Sequence, residues 1–102
     1  MKNIGYRWNS NSQYFSDIDA LGIFVDNHDN ARFLHGNGDI RLFKSALTFA
    51  LCARGIPFFY YGSEQGFAGG DDPYNREVLW RNFDRTSDMF KFTQTINRAR
   101  HS

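Results

Sequence analysis

Two polar clusters hold the residues able to do chemistry. Asp26, Asn27, His28 and Asp29 follow directly on the apolar run Leu21 to Val25. Glu64, Asp71, Asp72 and Arg76 follow a second apolar run, Ile56 to Tyr61. Carboxylates beside an imidazole and a guanidinium suit the cleavage of an acetal bond. The transition state of that reaction is oxocarbenium-like and electron-poor, so a carboxylate held ionised beside it is stabilising. Hydroxyl groups around the reacting carbon are gripped by directional hydrogen bonds, which an imidazole and an Arg–Asp pair can make. Asp29 is the candidate for the stabilising carboxylate. His28, Asp72 and Arg76 are the candidates for hydroxyl grips. Retaining cleavage also needs a protonated acid and a carboxylate nucleophile, and no convincing pair of that kind follows either run.

The elements that must position these groups can be read from the apolar pattern. Residues 1–12 read as irregular, and Tyr14, Phe15, Ile18 and Leu21 suggest a short turn or helix. Leu21–Asp26 reads as a strand buried on both faces, because Ile23, Phe24 and Val25 are continuous rather than alternating. Asn27 to Asp39 reads as a polar loop. A helix is expected from about Asp39 to Arg54, capped by Asp39 or Asn37, with Ile40, Phe43, Leu47, Ala50 and Leu51 as its apolar stripe. Gly55 stands where a left-handed residue is wanted. Ile56–Tyr61 reads as the second strand, with Pro57 tolerated near its start. Gly62 to Asn75 is a fourteen-residue loop, and loops of that length are usually functional. Glu77–Arg81 suggests a short turn. A last helix runs from about Ser87 to Arg100, capped by Thr86 or Ser87, with Met89, Phe92, Ile96 and Ala99 inward.

Two apolar strands joined by a helix make a parallel βαβ unit with a right-handed crossover. Parallel α/β folds carry their reactive groups at the C-terminal ends of strands, so both polar clusters fall at one edge and face a common cleft. Two strands cannot cover both faces of such a sheet. The chain therefore reads as consecutive units of a larger α/β fold.

Composition narrows the class. Eleven Phe, five Tyr and two Trp in 102 residues are core-forming and argue against disorder. Net charge is +1 without a basic run, which favours neither nucleic acid nor an anionic membrane surface. No apolar run approaches the ~20 residues of a membrane span. The single Cys52 excludes an internal disulfide, and its place on the apolar side of the expected helix reads as an inert buried thiol.

Several polar residues are expected to be structural. Asp26 is read as bonding backbone or a neighbouring strand, Arg32 as pairing with a carboxylate, and Glu64 as a partner at the strand end. His35 and His101 are read as solvated, and Tyr60 and Tyr61 as core. Asp72 and Arg76 also fit a loop-ordering ion pair.

Three stretches carry a family resemblance. Phe24-Val25-Asp26-Asn27-His28-Asp29-Asn30 resembles the block after the seventh barrel strand of the α-amylase family of glycoside hydrolases. Gly55-Ile56-Pro57-Phe58-Phe59-Tyr60-Tyr61-Gly62-Ser63-Glu64-Gln65 is similar to that family's eighth strand. Gly69-Gly70-Asp71-Asp72-Pro73-Tyr74-Asn75-Arg76-Glu77 resembles the following loop in its fungal-type form. The resemblance covers roughly residues 21–100. It implies an α/β fold, an incomplete (β/α)₈ TIM barrel holding the last two βα units, with residues 1–20 as a lead-in. It implies that Asp29 stabilises the transition state and that His28, Asp72 and Arg76 bind the sugar just before the cut. The implied substrate is an α-1,4-glucan such as starch or glycogen.

The same resemblance places the nucleophile Asp after the fourth strand and the acid Glu after the fifth, outside this chain. The main calcium-binding loop lies outside it too. Calcium is expected in the full-length parent, and no cofactor or metal ligand is expected from this chain. A complete barrel needs ~250 residues, so Met1 reads as a truncated or mispredicted start. The polypeptide alone is expected to be inactive and poorly folded, needing the rest of the parent barrel. No apolar signal segment follows Met1; the sequence leaves location open, and secretion fits a full-length parent. Other specificities of the family, α-glucosidase or glucanotransferase, remain alternatives, as does a non-catalytic carbohydrate-binding relative. A metal protein built on Asp26, His28 and Asp29 is the weakest alternative, because no second His or Cys cluster supports it.

Overall fold

The structure is a computed structural model and describes residues 16–102. The expectations for residues 1–12, Tyr14 and Phe15 lie outside the described residues. A 3-10 turn, Ile18–Ala20, leads into strand β1, Gly22–Ile23. Helices α1, Phe33–Gly36, and α2, Ile40–Cys52, precede strand β2, Ile56–Pro57. A second 3-10 turn, Ser63–Gln65, and helix α3, Asp88–His101, complete the order.

The strands pair in parallel, Gly22 opposite Ile56 and Ile23 opposite Pro57. Ile56 N–H donates to Leu21 O at 2.9 Å and Phe58 N–H to Ile23 O at 2.7 Å. Alternate residues of a parallel strand face one neighbour. Pro57 lies between those two donors, so the N–H it lacks is not one that β1 needs. Both strands are shorter than the expected Leu21–Asp26 and Ile56–Tyr61. A strand exists only where a partner takes its hydrogen bonds, and β1 and β2 pair over two residues before their chains enter the loops.

The expected burial of β1 on both faces is also corrected. Val25 packs against the core of Phe43, Leu47 and Met89. Gly22, Phe24 and Phe58 instead face an open cavity of about 360 Å³, and Phe24 is 52 % exposed. Side chains alternate along a strand, and the core of this chain covers one face. Gly22 makes room for a ring: a Cβ there would stand 2.7 Å from Phe58 Cε2.

Helix α2 forms where the stripe predicts it. Asp39 caps it, accepting Arg41 N–H at 2.9 Å. Phe43, Leu47, Ala50 and Leu51 are buried, whereas Ile40 at its first turn is exposed. Cys52 is exposed rather than buried. It lies nine residues beyond Phe43, about 180° around a helix of 100° per residue, and so faces away from the core. Gly55 has φ +117, and a Cβ there would stand 2.8 Å from Leu21 O. Helix α3 is capped by Ser87, whose Oγ accepts Phe90 N–H at 3.2 Å. Met89 is buried, Phe92 packs beside it, and Ala99 is exposed where an inward position was expected. Arg100 Nη1 donates to Leu51 O at 2.6 Å and ties the end of α3 to that of α2. The turn expected at Glu77–Arg81 falls one or two residues later, closed by Asn82 N–H to Leu79 O at 2.9 Å.

Candidate active site

The loop after β1 is folded by its own polar side chains. Asp26 is buried, and its Oδ1 accepts Phe33 N–H at 2.8 Å, capping α1. Its Oδ2 accepts the Ser63 hydroxyl at 3.2 Å. Asp26 is thus a structural residue, as expected. Asn27 Oδ1 accepts Asp29 N–H at 3.1 Å, Asn30 N–H at 3.0 Å and Asn30 Nδ2–H at 3.1 Å. Such an Asx turn needs no help from a sheet or helix. It leaves His28 and Asp29 turned outward, with side chains 63 % and 69 % exposed and His28 Nε2 3.3 Å from Asp29 Oδ1. His28 also lines the open cavity, beside Phe24, Phe58 and Tyr60.

The loop after β2 folds back onto the first loop through Arg32. That guanidinium is buried, donates through Nε to Glu77 Oε1 at 2.7 Å and through Nη2 to Tyr61 O at 2.8 Å. It lies 4.4 Å from the Tyr60 ring centroid and 5.4 Å from that of Phe67. Glu77 Oε2 accepts Gly69 N–H at 2.9 Å, and Gly69 O accepts Arg32 N–H at 3.0 Å. Glu64 Oε2 accepts Gly62 N–H at 3.0 Å, the structural role expected of it. Gly62 itself has φ +88, and a Cβ there would clash with the Phe67 ring.

Tyr60 and Tyr61 are half-buried, and their hydroxyls donate to Asn75 O at 3.0 Å and Glu77 O at 2.8 Å. Burial, and then the neighbouring Tyr61, push the Tyr60 phenol above its ordinary range, so it remains a donor. His35 is exposed, with Nδ1 3.1 Å from Ala68 O.

Asp72 and Arg76 form an ion pair, Nε to Oδ1 at 2.9 Å, with both side chains about half exposed. The Asp72–Pro73 peptide bond is cis. Arg76 Nη2 also lies 3.4 Å from His28 O. Asp72 and Arg76 therefore join the His28–Asp29 turn at one edge of the sheet. Asn75, which the sequence did not single out, is fully buried between them. Its Nδ2 lies 2.7 Å from Asn30 O, 2.9 Å from His28 O and 3.4 Å from Asn27 O. The short helix α1, Phe33–Gly36, lies within the expected loop; four residues are too few to show a periodicity. A larger cavity of about 590 Å³, lined by Leu51, Phe59, Tyr61 and Phe90, holds none of the four predicted site residues.

Among the described residues no group of three or more His, Cys, Asp or Glu could hold a metal ion. The calcium that the resemblance implies belongs to a loop outside this chain, and no chemistry is routed through it. Among the described residues no helix is long and apolar enough to cross a membrane.

These polar groups gather at the C-terminal edge of two parallel strands, the edge at which parallel α/β folds carry their sites. The family model described as the alpha amylase catalytic domain matches residues 1–101. Alpha-amylase 1 of Lipomyces kononenkoae is 43 % identical over 83 % of this chain and 14 % of its own length. A cyclomaltodextrin glucanotransferase of Bacillus sp. (strain 1011) is 46 % identical over 86 % of this chain and 12 % of its own. The structure of an alpha-amylase from Malbranchea cinnamomea superposes with a TM-score of 0.94 at 37 % identity, covering 99 % of this chain and 22 % of the other. The chain belongs to the α-amylase catalytic-domain family of glycoside hydrolases. It spans 14 % and 12 % of the length of these two curated relatives, and its small parallel sheet agrees with part of a TIM barrel.

Proposed function

We propose that this chain supplies the last two βα units of an α-amylase-type (β/α)₈ barrel that cleaves α-1,4-glucosidic bonds. Residues 1–102 are then one partial catalytic domain, with residues 1–20 leading into it. In this reading Asp29 is the transition-state stabiliser, and His28, Asp72 and Arg76 bind the sugar before the cut. The observation that carries it is Arg76, which pairs with Asp72 while reaching the carbonyl of His28. One residue thereby links the three proposed grips beside the exposed Asp29 carboxylate.

The mechanism follows from charge. As the glycosidic bond breaks, positive charge develops on the ring. A carboxylate about 4 Å away at an effective dielectric of 20 contributes about 4 kcal/mol. That corresponds to about 10³-fold in rate. His28 and the Asp72–Arg76 pair offer both donors and acceptors to sugar hydroxyls, which orients the ring against Asp29. The nucleophile and the general acid come from other parts of the barrel. Among the described residues ten large apolar side chains are exposed against four that are buried, Phe43, Leu47, Leu51 and Met89. That imbalance supports a segment that works inside a larger domain, and the rest of the parent barrel is its required partner. The glucanotransferase relative supports a second reading, transfer to a sugar acceptor instead of water.

The test places residues 16–102 in a complete domain, replacing the matching segment of the Malbranchea cinnamomea enzyme. The folded chimera is expected to hydrolyse soluble starch, and Asp29→Asn to lower kcat by about 10³-fold. The 102-residue chain alone is expected to give no turnover. A folded chimera without activity, an unaffected Asp29→Asn variant, or turnover by the isolated chain overturns the reading.

A further inference from the structure

We infer that Asn75 is a positioning residue that aims the Asp29 carboxylate. The inference rests on the role proposed for Asp29 above. Asn75 is fully buried, and its Nδ2 faces three carbonyl oxygens, those of Asn27, His28 and Asn30. Three acceptors around one nitrogen fix the amide's orientation, because the opposite flip would set oxygen against oxygen. Asn75 Oδ1 has no hydrogen-bond partner among the described residues. The donor end is therefore the end that this position uses.

Those three carbonyls bracket Asp29 in the chain. Asn27 Oδ1 holds the same turn from its amide side, through the N–H groups of Asp29 and Asn30. The turn is thus pinned on both sides of its peptide planes. The Asp29 carboxylate itself is 69 % exposed and meets His28 Nε2 at 3.3 Å. No other hydrogen bond to that carboxylate is found among the described residues. Its aim is consequently set by the backbone beneath it, and Asn75 holds that backbone. Tyr60 Oη holds Asn75 in turn, donating to its carbonyl at 3.0 Å. Misplacing a reacting group by about 1 Å can cost about a hundredfold in rate, so a lost tether reads out in catalysis.

The experiment uses the complete chimeric domain and compares Asn75→Ala in two backgrounds, native and Asp29→Asn. In the native background kcat is expected to fall about thirty- to a hundredfold, with KM moving less than about threefold. In the Asp29→Asn background the same change is expected to cost less than about threefold, because the group it positions is already disabled. Thermal unfolding of each variant shows that it is folded at the assay temperature. If Asn75→Ala does not fold, Asn75→Ser keeps one small donor and carries the same comparison. Retention of kcat within about threefold overturns the inference. So does an equal loss in both backgrounds, which marks a purely structural residue. An inactive parent chimera instead overturns the function proposed above, so the two failures are distinct.

Discussion

Replacing Arg32 by Met tests the clamp between the two loops. Met keeps an apolar stem among Tyr60, Tyr61 and Phe67 while removing the charge. The substitution deletes the 2.7 Å bond to Glu77 and the 2.8 Å bond to Tyr61 O from a buried guanidinium. Breaking a buried ion pair by removing one partner costs about 3–5 kcal/mol. The Glu77 side chain is 24 % exposed, so water reaches the abandoned carboxylate. Glu77 Oε2 also retains Gly69 N–H. Arg32 Nη1 also lies 3.9 Å from Asp26 Oδ2, a buried carboxylate that would lose its countercharge, so Arg32→Met is expected to cost about 3–5 kcal/mol.

A cycle with Glu77→Gln isolates the pair, since Gln keeps an acceptor for Arg32 and loses the charge. The two changes together are expected to cost less than their sum by at least about 1 kcal/mol. Equilibrium urea unfolding of the complete chimeric domain, followed by circular dichroism and fluorescence, gives the four free energies. A cost below about 1 kcal/mol for Arg32→Met, or additivity within about 0.5 kcal/mol, refutes the clamp.

Two further outcomes are expected. The Asp72–Arg76 pair is about half exposed, and such pairs contribute at most about 1 kcal/mol to stability. Asp72→Asn and Arg76→Ala should each raise KM about tenfold with little change in unfolding midpoint; lowered midpoints with unchanged KM would make the pair a loop-ordering contact alone. Hydrogen bonds from Arg54, and then its charge, hold the Asp19 carboxyl below its ordinary 3.8. A depressed carboxyl stabilises the fold above its unfolded value and loses that effect as pH falls through the folded value. The midpoint gap between native and Asp19→Asn domains should therefore be widest at neutral pH and close below pH 3.8. A gap that does not change with pH contradicts it.

What the sequence reveals depends on whether a feature is local. Helix α2 is legible because Asp39 caps it and its stripe recurs every three to four residues. Helix α3 is legible for the same reasons, from Ser87 and Met89. Arg32, Glu64 and Asp26 are assigned structural roles in advance because a strand end must satisfy its polar groups within the fold. Strand length is not legible, because it depends on where a distant partner stops pairing. The exposure of Cys52 is missed because a residue adjacent to an apolar stripe can still lie half a turn away from it. Asn75 is missed for a third reason. Its neighbours Asp72 and Arg76 carry charge and draw attention, whereas a buried amide acts only through carbonyls more than forty residues away in sequence.

The described part of the chain divides its cohesion between two kinds of contact. Its apolar core lies between α2, α3 and one face of the sheet. The four buried polar residues among those described, Asp26, Arg32, Ser63 and Asn75, belong to the strand-end loops. Each of them bonds to, or lies against, the other loop: Asp26 with Ser63, Arg32 with Glu77 and Tyr61, Asn75 with the turn at Asn27 to Asn30. Hydrogen bonds are directional where apolar packing is not. The edge that carries Asp29 is therefore specified by bonds internal to this segment. The opposite sheet face is open beside Phe24 and Phe58, and the proposed barrel is what would cover it. Under the function proposed above, a segment built in this way brings its own site geometry into the barrel and takes its stability from it.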